Sequence, residues 1–95
     1  MTLYTLTKSN RKGKRFQVYK YGEPPIHFGS TTNNTYIDHQ ETNTKNNWIS
    51  RHGAMSDFTD PKTASFWAYW LLWNRRTLKA SIRDLKRKFN IIVIY

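Results

Sequence analysis

The pattern of polar and apolar positions indicates two strands near the start of the chain. Residues 2–7 are mainly β-branched and aromatic, and residues 15–21 place Phe16 and Val18 on one face of a strand and Tyr19 and Tyr21 on the other. A period of two is typical of strands. The residues between them are polar and contain Asn10 and Gly13, which favour turns. The pattern therefore predicts a β-hairpin over residues 1–22 with a basic tip.

The following stretch, residues 23–59, is low in apolar content. Its runs of Ser, Thr and Asn are typical of turns and loops, and Tyr36-Ile37 and Trp48-Ile49 are isolated apolar anchors. A long segment without secondary structure is unusual in a compact domain and commonly carries function or partner contacts. We expect a long ordered central loop here, pinned at these two points.

An aromatic segment follows, with a helix start at Asp60-Pro61. Aspartate caps free amides, and proline suits the first helical position. Residues 64–73 then contain no helix breaker and almost no polar face. A helix that is apolar all round is buried or covered by a partner. The pattern predicts an aromatic helix over residues 60–74.

The C-terminal third predicts a basic amphipathic helix over residues 77–89, capped by Thr77. Its apolar positions form one stripe at i, i+4, i+7 and i+11. They are Leu78, Ile82, Leu85 and Phe89.

A short apolar, β-branched run closes the chain at residues 91–95. Such a run is typical of a buried strand, and we expect it to pair with the hairpin. The predicted fold class is therefore α+β: an N-terminal hairpin and a short C-terminal strand packed on two helices. We expect one domain over residues 1–95, because a second core could hardly form at this size.

Composition narrows the class of protein. The 95 residues include no cysteine, so disulfides and cysteine-based zinc sites are excluded. No apolar run approaches the ~18 residues of a membrane span. Four Trp, six Tyr and five Phe are too many aromatic residues for a disordered basic tail. The formal net charge of +10 indicates an anionic partner.

The charge is concentrated at the two ends of the chain. Residues 1–22 carry +6 and residues 61–95 carry +7, while residues 23–60 carry −3. Clustered Lys and Arg suffice to bind a polyanion. The candidate residues for an anionic partner are Arg11, Lys12, Lys14, Arg15, Lys79, Arg83, Lys86 and Arg87.

The aromatic helix is a second candidate surface. Trp67, Trp70 and Trp73 recur at i, i+3 and i+6 and spread over one broad side. Burial in the core is the favoured interpretation for Trp70 and Trp73, but a small domain cannot easily bury so many large rings. We therefore expect part of this surface, at Trp67, Tyr69 and Trp70, to contact another protein.

Catalytic motifs are weak throughout. His27, His39 and His52 lack the spacing of zinc sites, so no metal or other cofactor is expected. Faint HNH and GIY-YIG nuclease patterns lack their partner elements, since no arginine lies between Arg15 and Arg51. No nucleophile elbow or phosphate-binding glycine loop is present. We therefore expect a protein without enzymatic activity.

Several short motifs together resemble a known protein family. The most specific run is Thr63–Asn74 with Ser81-Ile82, and the whole resemblance covers residues 26–89, leaving the hairpin and the terminal strand outside. The motifs resemble a family of small basic proteins of unknown function encoded by large nucleocytoplasmic DNA viruses of algae and amoebae. This resemblance implies a viral origin and a place in the virion, or in the virus factory in the host cytoplasm.

Two functions fit these observations. The first is a structural virion component, a minor capsid or capsid-associated protein that contacts other virion proteins and can oligomerise. The alternative is a non-specific nucleic-acid-binding protein associated with the viral genome, with DNA or RNA as partner. Both depend on the same charges and aromatic residues, so the sequence leaves the choice between an acidic protein and a nucleic acid open.

Overall fold

The chain folds into a four-stranded sheet packed against helices, which confirms the predicted α+β class. The computed structural model describes residues 2–32, 34–53 and 58–95. The strands are β1 (Thr2–Lys8), β2 (Lys14–Tyr19), β3 (Ile26–Ser30) and β4 (Ile91–Ile94). The helices are α1 (Tyr36–His39), α2 (Thr42–Gly53), α3 (Ala64–Trp67) and α4 (Leu78–Phe89), and α3 continues into a π-helical segment, Ala68–Trp73.

The sheet has the strand order β3-β2-β1-β4. β1 and β2 are antiparallel, with Leu6 opposite Val18. β2 and β3 are also antiparallel. β4 pairs with β1 in parallel, with Val93 opposite Tyr4. The predicted hairpin and the predicted pairing of the terminal strand are both confirmed. The parallel pair needs a crossover connection, which the helices provide.

One face of the sheet forms the base of the hydrophobic core. Alternate residues along each strand point to this face, as the pleat requires. Helical side chains cover it, and the rings of Tyr4 and Trp67 lie 4.7 Å apart between centroids. The buried strand residues are Tyr4, Leu6, Phe16, Val18, Phe28, Ile91 and Val93.

The prediction of a central loop over residues 23–59 is wrong for most of this stretch, because it contains β3, α1 and α2. The helix α2 has a single buried residue, Trp48. The half-buried Ile49 also packs against the core, but two adjacent apolar residues do not make an apolar stripe, so the sequence of α2 lacks helical periodicity. The predicted segments include some residues that lie outside the described part of the chain: Met1, Asn33 and residues 54–57.

The aromatic helix begins later than the sequence predicts. Thr63 is its N-cap, and the Thr63 hydroxyl accepts a hydrogen bond from the amide of Phe66 at 3.3 Å. Asp60 instead closes the preceding turn, where its carboxylate accepts from the amide of Lys62 at 3.0 Å. From Ala68 onward the helix is π rather than α. A run of adjacent aromatic residues predicts a helix but does not distinguish these two windings.

The basic helix α4 agrees with its prediction. Thr77 caps it by accepting from the amide of Ala80 at 3.1 Å, and Asn90 ends it in the left-handed region at φ 56°. Leu85 is fully buried, and the other members of its apolar stripe are partly buried against the core. In the described ranges, no helix has the length and apolar character needed to cross a bilayer.

Candidate functional site

The turn between β1 and β2 carries three exposed cations, Arg11, Lys12 and Lys14, which we call the basic turn. Gly13 permits this turn at φ 82°, and the amide of Lys14 donates to the carbonyl of Arg11 at 3.2 Å. Within the described ranges, none of the three cations forms an ion pair with a carboxylate. The basic turn is therefore available to an external anion.

Arg15, predicted to bind the same anion, is engaged inside the protein. Its guanidinium donates two hydrogen bonds to the carboxylate of Asp38, at 2.6 and 2.9 Å. Asp38 also accepts from the amide of Thr35 at 2.7 Å, which caps α1. The Arg15 hydrogen bonds lower the pKa of Asp38 to about 2. Arg15 thus joins β2 to α1, so Asp38 reduces its availability to an external anion, and its role in anion binding stays a prediction.

Within the described part of the chain, the cations of α4 also include some that are exposed without an acidic partner and one that is ion-paired. Lys79, Arg83 and Lys86 are exposed, and we call them the helix patch. Arg87 instead forms an ion pair with Asp84 three residues before it. The carboxylate of Asp84 therefore reduces the availability of Arg87 to an external anion.

Asp84 is buried, and several side chains donate hydrogen bonds to its carboxylate. Its carboxylate accepts from Asn74 at 2.6 Å, from Arg75 at 3.4 Å and from Arg87. Desolvation raises its pKa, but these hydrogen bonds outweigh that effect and lower the pKa to about 2. Two arginines of the basic C-terminal run thus stabilise one interior carboxylate.

The basic turn and the helix patch belong to different parts of the sheet. The amide of Thr31, which follows β3, donates to the carbonyl of Gly13 in the turn at 3.4 Å. The helix α4 instead packs on β4 and on the π segment. Since β3 and β4 are the two edge strands, the basic turn contacts one edge and the helix patch lies over the other.

A cleft of about 700 Å³ opens beside the basic turn, between the end of β3, the helix α2 and the α3–π helix. Its volume is within the range of small-molecule sites, about 300–1,000 Å³. The buried part of its lining is mostly apolar, with Thr35 as a polar member. Its apolar residues, which we call the floor, are Phe28, Trp48, Leu72 and Trp73, with the half-buried Ala68 beside them.

The more exposed part of the lining, which we call the rim, is basic and polar. Arg51 from α2 and Lys14 from the basic turn supply its cations, and no Asp or Glu is among the described lining residues. The other polar rim residues used below are Ser30, Thr44, His52 and Ser65.

The helix α2 supplies one wall of the cleft from a single face. Thr44, Trp48, Arg51 and His52 recur at i, i+4, i+7 and i+8, positions that share one side of a helix. The Nδ1–H of His52 donates to the carbonyl of Trp48 at 3.0 Å, and their rings stack 4.2 Å apart. These contacts leave Nε2 as the remaining polar atom of the His52 ring. This spacing is the sequence signal that could have revealed the wall.

Trp48 is also the centre of an aromatic stack behind the cleft. Its ring lies 5.1 Å from Trp73 and 5.7 Å from Phe58, with interplanar angles of 11° and 18°. Phe58 in turn stacks on Tyr69 at 4.6 Å. Offset stacks of this kind bury large areas, so they hold the wall formed by α2 against the π segment.

Gly29 allows β3 to approach the π segment at the base of the cleft. Its φ of 81° is in the left-handed region. A Cβ at this position would lie 3.0 Å from Cδ1 of Leu72 and 3.2 Å from Cβ of Arg15. A residue without a side chain therefore fits both the backbone conformation and the close packing.

The predicted protein-contact surface is largely internal. Trp67 is fully buried, and its Nε1–H donates to the carbonyl of Pro61 at 2.8 Å, so its prediction as a contact residue is wrong. Tyr69 and Trp70 are half-buried, and the ammonium of Lys88 lies 5.2 Å from the Trp70 ring. The segment predicted as a loop supplies α2, whose Trp48 ring stacks 6.4 Å from that of Tyr69.

Exposed apolar side chains occur near the β4 edge of the sheet. Leu3 and Ile94 are about half exposed and lie on the face opposite the buried strand residues, and Tyr95 is 70% exposed. The outer edge of β4 pairs with no strand in the described part of the chain. An apolar edge strand of this kind readily pairs with another chain.

The three histidines take separate positions. His27 Nδ1 lies 2.7 Å from the hydroxyl of Ser9, and burial together with the nearby basic turn lowers the pKa of His27. His39 Nδ1 accepts from the amide of Glu41 at 2.9 Å. In the described ranges, no three His, Asp or Glu side chains form a group that could hold a metal ion.

Comparisons with known proteins give one family. No curated protein and no solved structure matches the chain. A family model of unknown function, DUF5754, matches residues 4–52, which are 49 of the 95 residues. The matched stretch contains the basic turn and the α2 wall of the cleft, so the hairpin that the sequence resemblance left outside is part of the family domain. Because more than half of the chain matches, it belongs to the family of unknown function DUF5754.

Proposed function

We propose that the protein binds single-stranded nucleic acid with little sequence preference, through the basic turn and the adjoining cleft. The observation that supports this most directly is the position of Lys14. It belongs to the basic turn, whose cations have no acidic partner in the described ranges, and it also lines a cleft with an apolar floor. Phosphates and an unpaired base are the two chemistries that such a surface attracts together.

A single strand fits this geometry better than a duplex. Bases in a duplex are stacked and paired, so they cannot enter a cleft bounded by β3, α2 and the α3–π helix. On α4, the ion pair with Asp84 engages Arg87, which leaves Lys79, Arg83 and Lys86 as the alternative surface for a duplex. The binding we propose is non-enzymatic.

The test is fluorescence anisotropy with a labelled 12-nucleotide DNA of mixed sequence across a salt series. We expect the logarithm of the binding constant to fall with the logarithm of salt by about 0.7 per neutralised phosphate. The variant Arg11→Gln/Lys12→Gln/Lys14→Gln should bind at least tenfold more weakly. The control, Lys79→Gln/Arg83→Gln/Lys86→Gln, loses the same net charge from the helix patch. Binding that is absent, insensitive to salt, or weakened equally by both variants would contradict the proposal.

A second candidate is a non-enzymatic structural protein that assembles with other proteins, and the exposed apolar side chains near β4 favour it. Leu3, Ile94 and Tyr95 supply an apolar surface in place of the aromatic helix. Together with the viral origin that the sequence resemblance implies, this surface supports a minor capsid or capsid-associated component of a virion. Detection of the protein in purified virus particles, in a fixed ratio to the major capsid protein, would support this candidate. Its absence from the particles would exclude it.

A further inference from the structure

We infer that the cleft holds one nucleotide unit, with its phosphate on the basic rim and its base against the apolar floor. This inference rests on the proposed nucleic-acid binding and specifies the part of the strand that is recognised. The cleft combines three properties that this ligand requires: positive charge, an apolar interior and polar groups between them.

The charge of the rim favours a phosphate. Lys14 and Arg51 both line the cleft and are exposed, and neither forms an ion pair with a carboxylate in the described ranges. The described lining contains no Asp or Glu that would repel an anion. An arginine matches phosphate geometry with two parallel N–H donors, while a lysine acts as a point charge.

The interior of the cleft suits a base. Its floor is apolar, and Ala68 from the π segment keeps it open because this side chain is a single methyl group. Trp48 and Trp73 stack on each other and are buried. We therefore expect the base to pack against the side of this stack rather than between its rings. Contact of this kind tolerates any base, which agrees with weak sequence preference.

Polar groups lie where the sugar and the base edge would be. The hydroxyls of Ser30, Thr44 and Ser65 come from three different elements that bound the cleft. His52 adds Nε2, because its Nδ1–H already donates to the carbonyl of Trp48. The hydroxyl of Thr44 already donates to the Glu41 carboxylate and that of Ser30 hydrogen-bonds Thr32, so each offers a base edge its remaining bonding capacity.

A bare phosphate or a phosphopeptide would use less of this site. Inorganic phosphate needs only the rim and would leave the apolar floor unfilled. A peptide runs through a groove in extended form, whereas β3, α2 and the α3–π helix bound this cleft on three sides. The volume of about 700 Å³ is large enough for one nucleotide.

The test is a titration of the ¹⁵N-labelled full chain with adenosine 5′-monophosphate, followed by amide chemical shifts. We expect shifts concentrated at Thr44, Arg51, His52 and Ala68. Adenosine and ribose 5-phosphate should each bind at least tenfold more weakly, because each lacks half of the ligand. Arg51→Gln and Ala68→Leu should each weaken nucleotide binding at least fivefold, by removing a rim cation and by filling the floor. The control Lys79→Gln, in the helix patch, should bind the mononucleotide like the wild type.

The outcomes separate this inference from the proposed function. If the 12-nucleotide DNA binds but Arg51→Gln does not weaken it and the mononucleotide shifts no cleft amide, the inference is wrong and the proposed function stands. If the mononucleotide binds in the cleft but the DNA does not, the proposed function is wrong and nucleotide binding in the cleft stands. Inorganic phosphate binding as tightly as the mononucleotide would also overturn the inference. Arg51 is exposed, so its variant remains informative even if Ala68→Leu fails to fold.

Discussion

The side chains of Asn74 and Asp84 meet inside the protein, where Nδ2 of Asn74 donates to the Asp84 carboxylate at 2.6 Å. Both residues are buried. Asn74 directly follows the π segment and Asp84 is in α4, so the pair joins two elements that pack together. An interior carboxylate that lost this donor would be only partly satisfied, because the remaining donors are two half-exposed or exposed arginines.

We expect Asp84→Ala to lower the free energy of unfolding by about 3 kcal/mol, because the partners of a buried carboxylate are left without an acceptor. Urea denaturation at pH 7 measures this change. The matched control is Glu23→Ala, which removes an exposed i,i+3 ion pair with Lys20 and should cost less than about 1 kcal/mol. Equal losses in the two variants would contradict a structural role for Asp84.

The protein should lose stability as the pH falls below about 4. Hydrogen bonds from Arg15 and Thr35 lower the pKa of Asp38 to about 2, and the partners of Asp84 lower its pKa to about 2. A carboxyl whose pKa is lower in the folded state adds stability above its ordinary pKa of 3.8. That stability is lost as the pH falls from 3.8 towards 2, by about 2 kcal/mol at most for each group.

Arg15→Met isolates the contribution of Asp38. Without the guanidinium, the pKa of Asp38 should return towards its ordinary value, because the arginine hydrogen bonds are the largest cause of its shift. The free energy of unfolding of this variant should therefore fall less steeply between pH 4 and pH 2 than that of the wild type. Denaturation curves at intervals of half a pH unit measure the slope, and identical slopes would show that Arg15 does not control this carboxylate.

Gly29→Ala should destabilise the fold by about 2 kcal/mol or more, since it adds a strained backbone to an overlap with Leu72. Gly22→Ala is a matched control. Gly22 has a similar φ of 82°, but nothing lies within 4 Å of a Cβ there, so only the backbone strain of about 1 kcal/mol remains. The difference in thermal midpoint between the two variants measures the overlap alone. No difference would mean that β3 and the π segment do not approach closely at this point.

Trp67 should behave as a core residue. We expect Trp67→Ala to cost about 3–5 kcal/mol, as truncation of a buried ring usually does. Tyr21→Ala, at a fully exposed aromatic position, should change stability by no more than about 0.5 kcal/mol. Chemical denaturation of the isolated protein distinguishes the two cases. A near-neutral Trp67→Ala would restore the original prediction of a contact surface.

Local patterns predict the hairpin, α4 and β4 well. In each of them, residues close in sequence carry the signal: the turn glycine Gly13, the cap Thr77 and the β-branched run over residues 91–95. These features act within one or two turns of chain, so they need no knowledge of the packing.

The helix α2 and the cleft depend on contacts between distant residues. Trp48 gives α2 only one buried ring, and beyond its neighbour His52 that ring acquires stacking partners only when Phe58 and Trp73 pack against it. Contacts between distant residues also decide whether a cation remains available to an external anion. Arg15 is engaged because Asp38, 23 residues later, reaches it in space.

The sequence by itself determined the α+β class, the ends of α4 and the excess of positive charge, because periodicity, capping and composition are properties of neighbouring residues. The tertiary structure alone decided which cations remain available and which aromatic rings form a wall. Those outcomes depend on which desolvated surfaces meet when the sheet and helices pack together. Lys14 and Arg51, 37 positions apart, line one cleft for that reason.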